Sequence, residues 1–361
     1  MRIAILSPSL TTGDAVSNDV LGMYERLGAR DFTPQIFAEG WTLTKPPILP
    51  LEKIRRFVRK PSDLLIYHYS RGWEPGLRLL QELKCRRVIK YHNVTPPEFL
   101  EKYSPDFANM CRAGRQQIKP IAQIDADRYL SASAFNMKEL IAGGASESRS
   151  FVVPPFHHID RVWNIEADQI IRDKYGDDKV NVLTVGRVSP NKGHRLLIEA
   201  FAAYHHEYND QSRLVIVGKE ETRLRSYSRL LREMVKRLHL TNAVVFAGEV
   251  SDEALKAYYE AADIFVTTSE HEGFCVPLIE AMAMKIPILA YGSSAIPETV
   301  GSAGLIWFEP DLYLFAESIH SIVTNRSISA ALQTSGWQRY QELFTNERIE
   351  NQFVAALEGI L

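Results

Sequence analysis

The chain has little cysteine, almost no net charge and no long apolar run, and each shortage removes a class of protein. The three cysteines, Cys85, Cys111 and Cys275, are odd in number and far apart in 361 residues. They predict a reducing compartment, not a disulfide framework, and no CxxC pair is present to hold zinc. No window approaches the roughly 18 continuous apolar residues of a membrane-spanning helix. The opening MRIAILSPSL breaks at Ser7 and Pro8, too early for the apolar region of a signal peptide. A net charge of −2, from 42 Lys and Arg against 44 Asp and Glu, argues against a nucleic-acid partner. A P-loop is missing too, since GxxxxGK[ST] occurs nowhere, which argues against a nucleoside-triphosphate hydrolase.

What is present is an ordinary soluble composition, 45% apolar and 24% charged, in a chain long enough for two domains. The charge is unevenly spread. Residues 1–160 hold 22 basic and 17 acidic side chains, and residues 161–361 hold 20 and 27. RIAIL (Arg2–Leu6) reads as a first strand, followed by a turn with Gly13 and a helix from about Ser17 to Leu27. PQIFA, DLLIYHY, RRVIKYH, ADRYLSAS and FVVPP continue as strands between helices. The polar stretch after Pro155, through about Lys179, reads as a connection between domains. A second series then begins with VNVLTVG, SRLVIVG, AVVFAG, IFVTTS and IPILAYG. Apolar strands alternating with helices predict an α/β fold with parallel sheets covered on both faces. The last segment, FTNERIENQFVAALEGIL, carries Ile349, Phe353, Ala356 and Leu357 at helical spacing.

Two segments carry candidate chemistry. In VLTVGRVSPNKGHRLLIEAF, Gly186 ends a strand, and Arg187 and Lys192 precede a helix. Ligands of parallel α/β units bind beyond the carboxyl ends of strands, where an arginine fork and a lysine point charge suit a diphosphate. The same loop also reads as a solvated basic turn. In EHEGFCVPLIEAMAMKIPILAYG, the strand IFVTTS leads through EHEGF to a helix with Pro277 at its start. Glu272 falls on the loop, placed to accept bonds from hydroxyls. Glu280 falls in the helix's first turn, where acids are favoured in any case. Two carboxylates around a basic pair match the layout of ribose, diphosphate and sugar.

These segments, with Glu272 and Glu280 eight residues apart, closely resemble the signature of retaining glycosyltransferases of family 4. The resemblance is strong over about residues 180–310 and looser over the N-terminal half, where GDAVSNDV falls in the family's order. It implies a GT-B fold of two Rossmann-like domains whose parallel sheets face one another across a cleft. The expected divisions are an acceptor domain at 1–160, a nucleotide-sugar domain at 161–340, and a helix at 341–361 returning to the first domain. The resemblance further implies that Glu272 contacts donor-sugar hydroxyls, Glu280 the ribose, and Arg187 and Lys192 the diphosphate. Gly273, Phe274, Cys275, Val276, Pro277 and Leu278 would complete the cradle, and the loop at Glu249 and Val250 would meet the base. His92, ending a strand in the first domain, would face the donor sugar, while Tyr91 packs inward. Pro297–Glu298 matches a family feature read here as structural.

The sequence departs from the family in two loops. Thr12-Gly13-Asp14 stands where paired glycines are usual; Gly13 still permits close approach, and Asp14 either faces an acceptor hydroxyl or caps the next helix. His157-His158-Ile159-Asp160 replaces an Asn-Gly turn, and a metal site is not expected there, because adjacent side chains diverge and no third imidazole or thiolate is near in sequence. Asp125-Ala126-Asp127 sits away from the nucleotide segments and reads as solvated or capping. The implied enzyme is a metal-independent hexosyltransferase that needs no cofactor. It would move glucose from the co-substrate UDP-glucose to a saccharide or lipid-linked saccharide in polysaccharide assembly. The basic stretches KIRRFVRK (Lys53–Lys60) and KCRRVIK (Lys84–Lys90) are either solvated faces or an anionic-membrane surface. Cytoplasmic residence, peripheral on the inner face of the plasma membrane, follows as the expectation. The rivals are a sugar-nucleotide epimerase of the same build and a non-catalytic saccharide-binding protein.

Overall fold

The computed structural model describes all residues, Met1–Leu361. The chain forms two compact units. The first combines Met1–Pro97, Ala108–His158 and Thr345–Leu361; the second combines Glu98–Phe107 and Ile159–Phe344. No helix is long and apolar enough to cross a membrane.

In the first unit the apolar runs form a parallel sheet of β1 (Arg2–Leu10), β2 (Thr33–Trp41), β3 (Ile48–Pro50), β4 (Leu64–Tyr69), β5 (Arg86–Tyr91), β6 (Arg128–Ser131) and β7 (Ser150–Val152). The order is β3-β2-β1-β4-β5-β6-β7. Ile3, Ile5, Ile66, Val88 and Leu130 carry one face of this sheet into the core. The helix Asn346–Ala356 adds Ile349, Phe353 and Ala356 to the same cluster. Burial of such side chains contributes about 1.5–3 kcal/mol each. β1 runs four residues past the apolar stretch, because Ser7 and Ser9 still pair with Ala38 and Gly40 of β2. Asp14 caps the helix Ala15–Gly28, accepting from the Ser17 N–H at 2.9 Å, so capping is the role the structure gives it.

The second unit orders its strands β10-β9-β8-β11-β12-β13. They are β8 (Val180–Val185), β9 (Ser212–Val217), β10 (Val244–Gly248), β11 (Ile264–Thr267), β12 (Ile288–Tyr291) and β13 (Gly304–Trp307). All its strand pairs are parallel. The stretch expected to be a plain connection instead forms the helices Ile159–Asn164 and Gln169–Tyr175, the latter capped by Asp168.

Both sheets reverse their winding once, between β1 and β4 in the first unit and between β8 and β11 in the second. Neighbouring strands there send their connections to opposite faces, which opens a crevice at the carboxyl ends.

Candidate active site

In the second unit the crevice between β8 and β11 brings together the two segments singled out in the sequence. Lys192 ends the 3-10 turn Pro190–Lys192, and its ammonium lies 2.5 Å from the Glu272 carboxylate. Their side chains keep 19% and 9% exposure, so the pair is largely but not wholly removed from water. Gly193 makes this approach possible: at φ 65° it is left-handed, and a Cβ there would stand 1.9 Å from the Thr268 carbonyl oxygen. Arg187 lies apart from this pair. Its side chain is 59% exposed, with Nη1 3.8 Å from Glu221. Gly186, at φ 150°, follows the end of β8, immediately before Arg187.

The Glu272 loop is held from two sides. Asn191, buried, donates to the His271 carbonyl at 3.1 Å, and its own carbonyl accepts from Glu270 at 2.8 Å. Ser294 accepts from the Glu272 N–H at 2.7 Å, and Thr299 donates to the Phe274 carbonyl at 2.8 Å. Thr299 belongs to the helix Ile296–Val300, which contains Pro297 and Glu298; Arg339 donates to the Glu298 carbonyl. Asn191 went unremarked in the sequence, although an asparagine inside the basic loop is the kind of residue that ties a turn.

Phe274 and Cys275 are buried beyond Gly273. Cys275 adopts φ 75°, an uncommon conformation for a residue with a side chain, at the N-cap of the helix Val276–Ala283. Burial, then the Glu272 carboxylate, pushes its thiol well above the usual range, so it remains protonated. Pro277 sits in the first helical positions, and Leu278 and Met282 are fully buried. Glu280 is a correction to the expected placement. It lies one turn further along, beyond the reach of a first-turn preference, and no acid occupies that first turn. It is buried, and the Tyr259 hydroxyl donates to its Oε2 at 2.6 Å. Burial and this carboxylate hold the Tyr259 phenol well above its ordinary value, which keeps it a donor. Glu249 pairs with Lys219 at 3.4 Å, and Val250 beside it is half-buried.

In the first unit, Gly13 takes φ 72° with open space around its Cα, while Tyr91 is buried and donates to Glu139. His92 leaves β5 with its N–H bonded to the Tyr69 carbonyl at 2.9 Å. Its ring does not stand alone. Nε2 lies 2.9 Å from Nδ1 of His68 in β4, and the rings meet edge to edge, their centroids 5.1 Å apart and their planes 19° from parallel. Asp19 is fully buried beneath both, its Oδ2 3.5 Å from His92 Nε2, 3.9 Å from His68 Nδ1 and 3.8 Å from Lys90 Nζ. Its Oδ1 accepts from the Phe156 N–H at 2.8 Å. Burial lowers both imidazoles, His68 to about 3 and His92 well below 6.5, with Lys90 adding to each shift. Burial raises Asp19 and lowers Lys90, each against the pull of the other. Asp19, His68 and Lys90 were missed in the sequence. The signal was there: a carboxylate on the buried face of a helix, and a histidine and a lysine inside otherwise apolar strands.

The structure revises other readings. Lys90, counted in a basic surface, is fully buried and donates to the Val153 carbonyl. Arg86 and Arg87 donate to the Ile360 and Leu83 carbonyls. In Lys53–Lys60, Ile54 and Val58 are buried and Phe57 packs on Phe37, so no apolar face remains for insertion. Lys53, Arg56 and Lys60 stay exposed. His158 Nδ1 lies 2.6 Å from the Asn18 amide, and the His157 carbonyl accepts from Asn346 at 3.0 Å. Asp125 pairs with Arg149 at 2.7 Å, and Asp127 accepts from the Arg87 N–H at 2.7 Å.

Residues 167–338 match the family described as glycosyl transferases group 1. Among curated proteins, the chain is 27% identical over 350 residues to mannosylfructose-phosphate synthase of Agrobacterium fabrum, covering 92% of this chain and 76% of that protein. It is 29% identical over 240 residues to D-inositol 3-phosphate glycosyltransferase of Geodermatophilus obscurus, covering 64% of this chain and 52% of that enzyme. Among solved structures, HepE of Anabaena in complex with UDP-glucose superposes with a TM-score of 0.79 at 19% identity, covering 99% of this chain and all of that one. The two units are thus the paired Rossmann-like domains of the GT-B fold.

Proposed function

We propose that this chain, a GT-B protein whose residues 167–338 match the glycosyl transferases group 1 family, is a retaining hexosyltransferase that uses a nucleoside-diphosphate sugar. The contact of Lys192 with Glu272 beside β8, one helical segment from Glu280, carries the reading. It sets a cation for phosphate next to a carboxylate for sugar hydroxyls, with a second carboxylate for ribose. Uridine and glucose are the base and sugar proposed, supported by the UDP-glucose bound in the Anabaena HepE structure.

In the reaction the bond between the sugar's anomeric carbon and the β-phosphate oxygen breaks. The acceptor hydroxyl oxygen bonds to that carbon, and its proton passes to the departing phosphate. Charge grows on the phosphate as the bond breaks, so Arg187 and Lys192 act chiefly on the transition state. These protein cations supply the electrostatic role that other transferases give to a divalent ion. Glu272 holds the transferred sugar, Glu280 the ribose and His92 a sugar hydroxyl. The acceptor is a saccharide or lipid-linked saccharide, met in the cytoplasm at an anionic membrane surface through the exposed Lys53, Arg56 and Lys60.

A screen of nucleotide sugars, measuring transfer and hydrolysis separately in excess chelator, tests this. The expected result is turnover of UDP-glucose with retained anomeric configuration. Inverted product, or activity restored only by magnesium or manganese, would overturn the assignment.

A further inference from the structure

The buried cluster beneath His92 is a single bond between two imidazoles set beside a buried carboxylate. Asp19 and His68 are both wholly inaccessible, and neither belongs to the transferase chemistry above. Asp19 Oδ2 and His68 Nε2 have no hydrogen-bond partner, an arrangement costly enough to be lost unless something uses it. A metal does not fit. The Lys90 ammonium lies 3.8 Å from the same carboxylate oxygen, and the two imidazole nitrogens point at a shared proton instead of a common centre.

We infer that Asp19 and His68 are positioning residues that fix the ring orientation and tautomer of His92, so that its Nδ1 offers a lone pair to a hydroxyl of the transferred sugar. The hydroxyl's identity rests on the transferase reading; the tautomer does not. The bond to His68 uses His92 Nε2 and leaves Nδ1 for a ligand. One proton occupies that 2.9 Å bond, and the carboxylate beside it lies closer to His92 Nε2 than to His68 Nδ1. The proton is therefore more stable on His92, with His68 accepting. The two rings lie edge to edge, 19° from coplanar, so turning the His92 ring would break the bond between them. Asn93, held at φ 87° and bonded to Asn136 at 2.8 Å, fixes the backbone immediately after it. Both imidazoles are held neutral, and a proton captured at Nδ1 would create a second cation near Lys90. The assembly holds a hydroxyl; it does not shuttle protons.

The test uses the full chain with His68→Phe, which keeps an aromatic ring in β4 and removes the acceptor, and His68→Asn, which restores a polar atom near the Nδ1 position. His68→Phe should keep the affinity for free nucleoside diphosphate, while kcat/KM for transfer falls roughly 10- to 100-fold, as for other partners that orient a histidine. His68→Asn should recover part of the loss. In parallel, 15N spectra of ring-labelled histidine should show His92 Nδ1 unprotonated between about pH 5 and 8. A protonated Nδ1, parental transfer by His68→Phe, or no recovery in His68→Asn would each overturn the proposal. If the parent transfers no sugar, the transferase reading fails alone and the spectra decide the tautomer.

Discussion

The two units place polar groups at the same topological point, the reversal of a parallel sheet, and treat them oppositely. At β1 and β4 the charges of Asp19 and Lys90 are sealed away from water, and only the His92 ring keeps 7% exposure. At β8 and β11, Lys192 and Glu272 stay within reach of solvent, and Arg187 extends into it. Sealed charges have no mobility and act through the side chain they hold. Reachable charges can exchange each other for a ligand. A crevice of the same topology thus serves either as a mount or as a clamp, depending on burial.

The sharpest way to break that contrast is to remove one sealed charge. Asp19→Ala leaves Lys90 buried without its counter-ion and should cost about 3–5 kcal/mol in urea denaturation. Asp19→Leu with Lys90→Met should recover much of it. A loss no larger than that of a surface substitution would mean the interior tolerates a lone charge, and the distinction between the crevices would collapse.

On the reachable side the effect should appear in rate. Lys192→Ala removes a charge-assisted contact worth roughly 1.5–3 kcal/mol, so turnover at saturating donor should fall about 10- to 150-fold. Unchanged turnover would exclude Lys192 from the leaving-group phosphate.

Smaller still, and more discriminating, are the two glutamates. Glu280→Gln should weaken nucleoside diphosphate by on the order of 1–2 kcal/mol in calorimetric titration, because the proposed ribose contact would lose its charge. Glu272→Gln should leave that affinity unchanged and reduce transfer. Equal affinities for parent and Glu280→Gln would reduce Glu280 to the fixed acceptor of Tyr259.

The least effect on the protein itself is expected outside both crevices. Reversing Lys53, Arg56 and Lys60 should change stability by no more than about 0.5 kcal/mol, yet release the chain from anionic vesicles. Equal partitioning of variant and parent would discard the membrane surface.

The alternation of the fold was legible in the sequence because strands covered on both faces are almost continuously apolar. Eleven of the strands coincide with such runs, while β3 and β13 do not. Each is an edge strand of three or four residues, only partly buried, so too little of it enters the core to leave a pattern. At the site, Lys192 and Glu272 could be singled out because each lies on a loop at a strand's end. What separates Glu280 from a capping acid is Tyr259, 21 residues away in sequence. The His92 mount draws on a helix and two strands, and no local window contains it.

The helix Asn346–Ala356 completes the core of a unit whose other parts end at His158. On a ribosome the intervening residues 159–344 must be made first, which takes on the order of 10–40 s at 5–20 residues per second. Throughout that interval the apolar surface that Ile349 and Phe353 will cover waits for its last piece. The first half of the nascent chain therefore keeps that surface uncovered during synthesis, for a time set by the length of its neighbour.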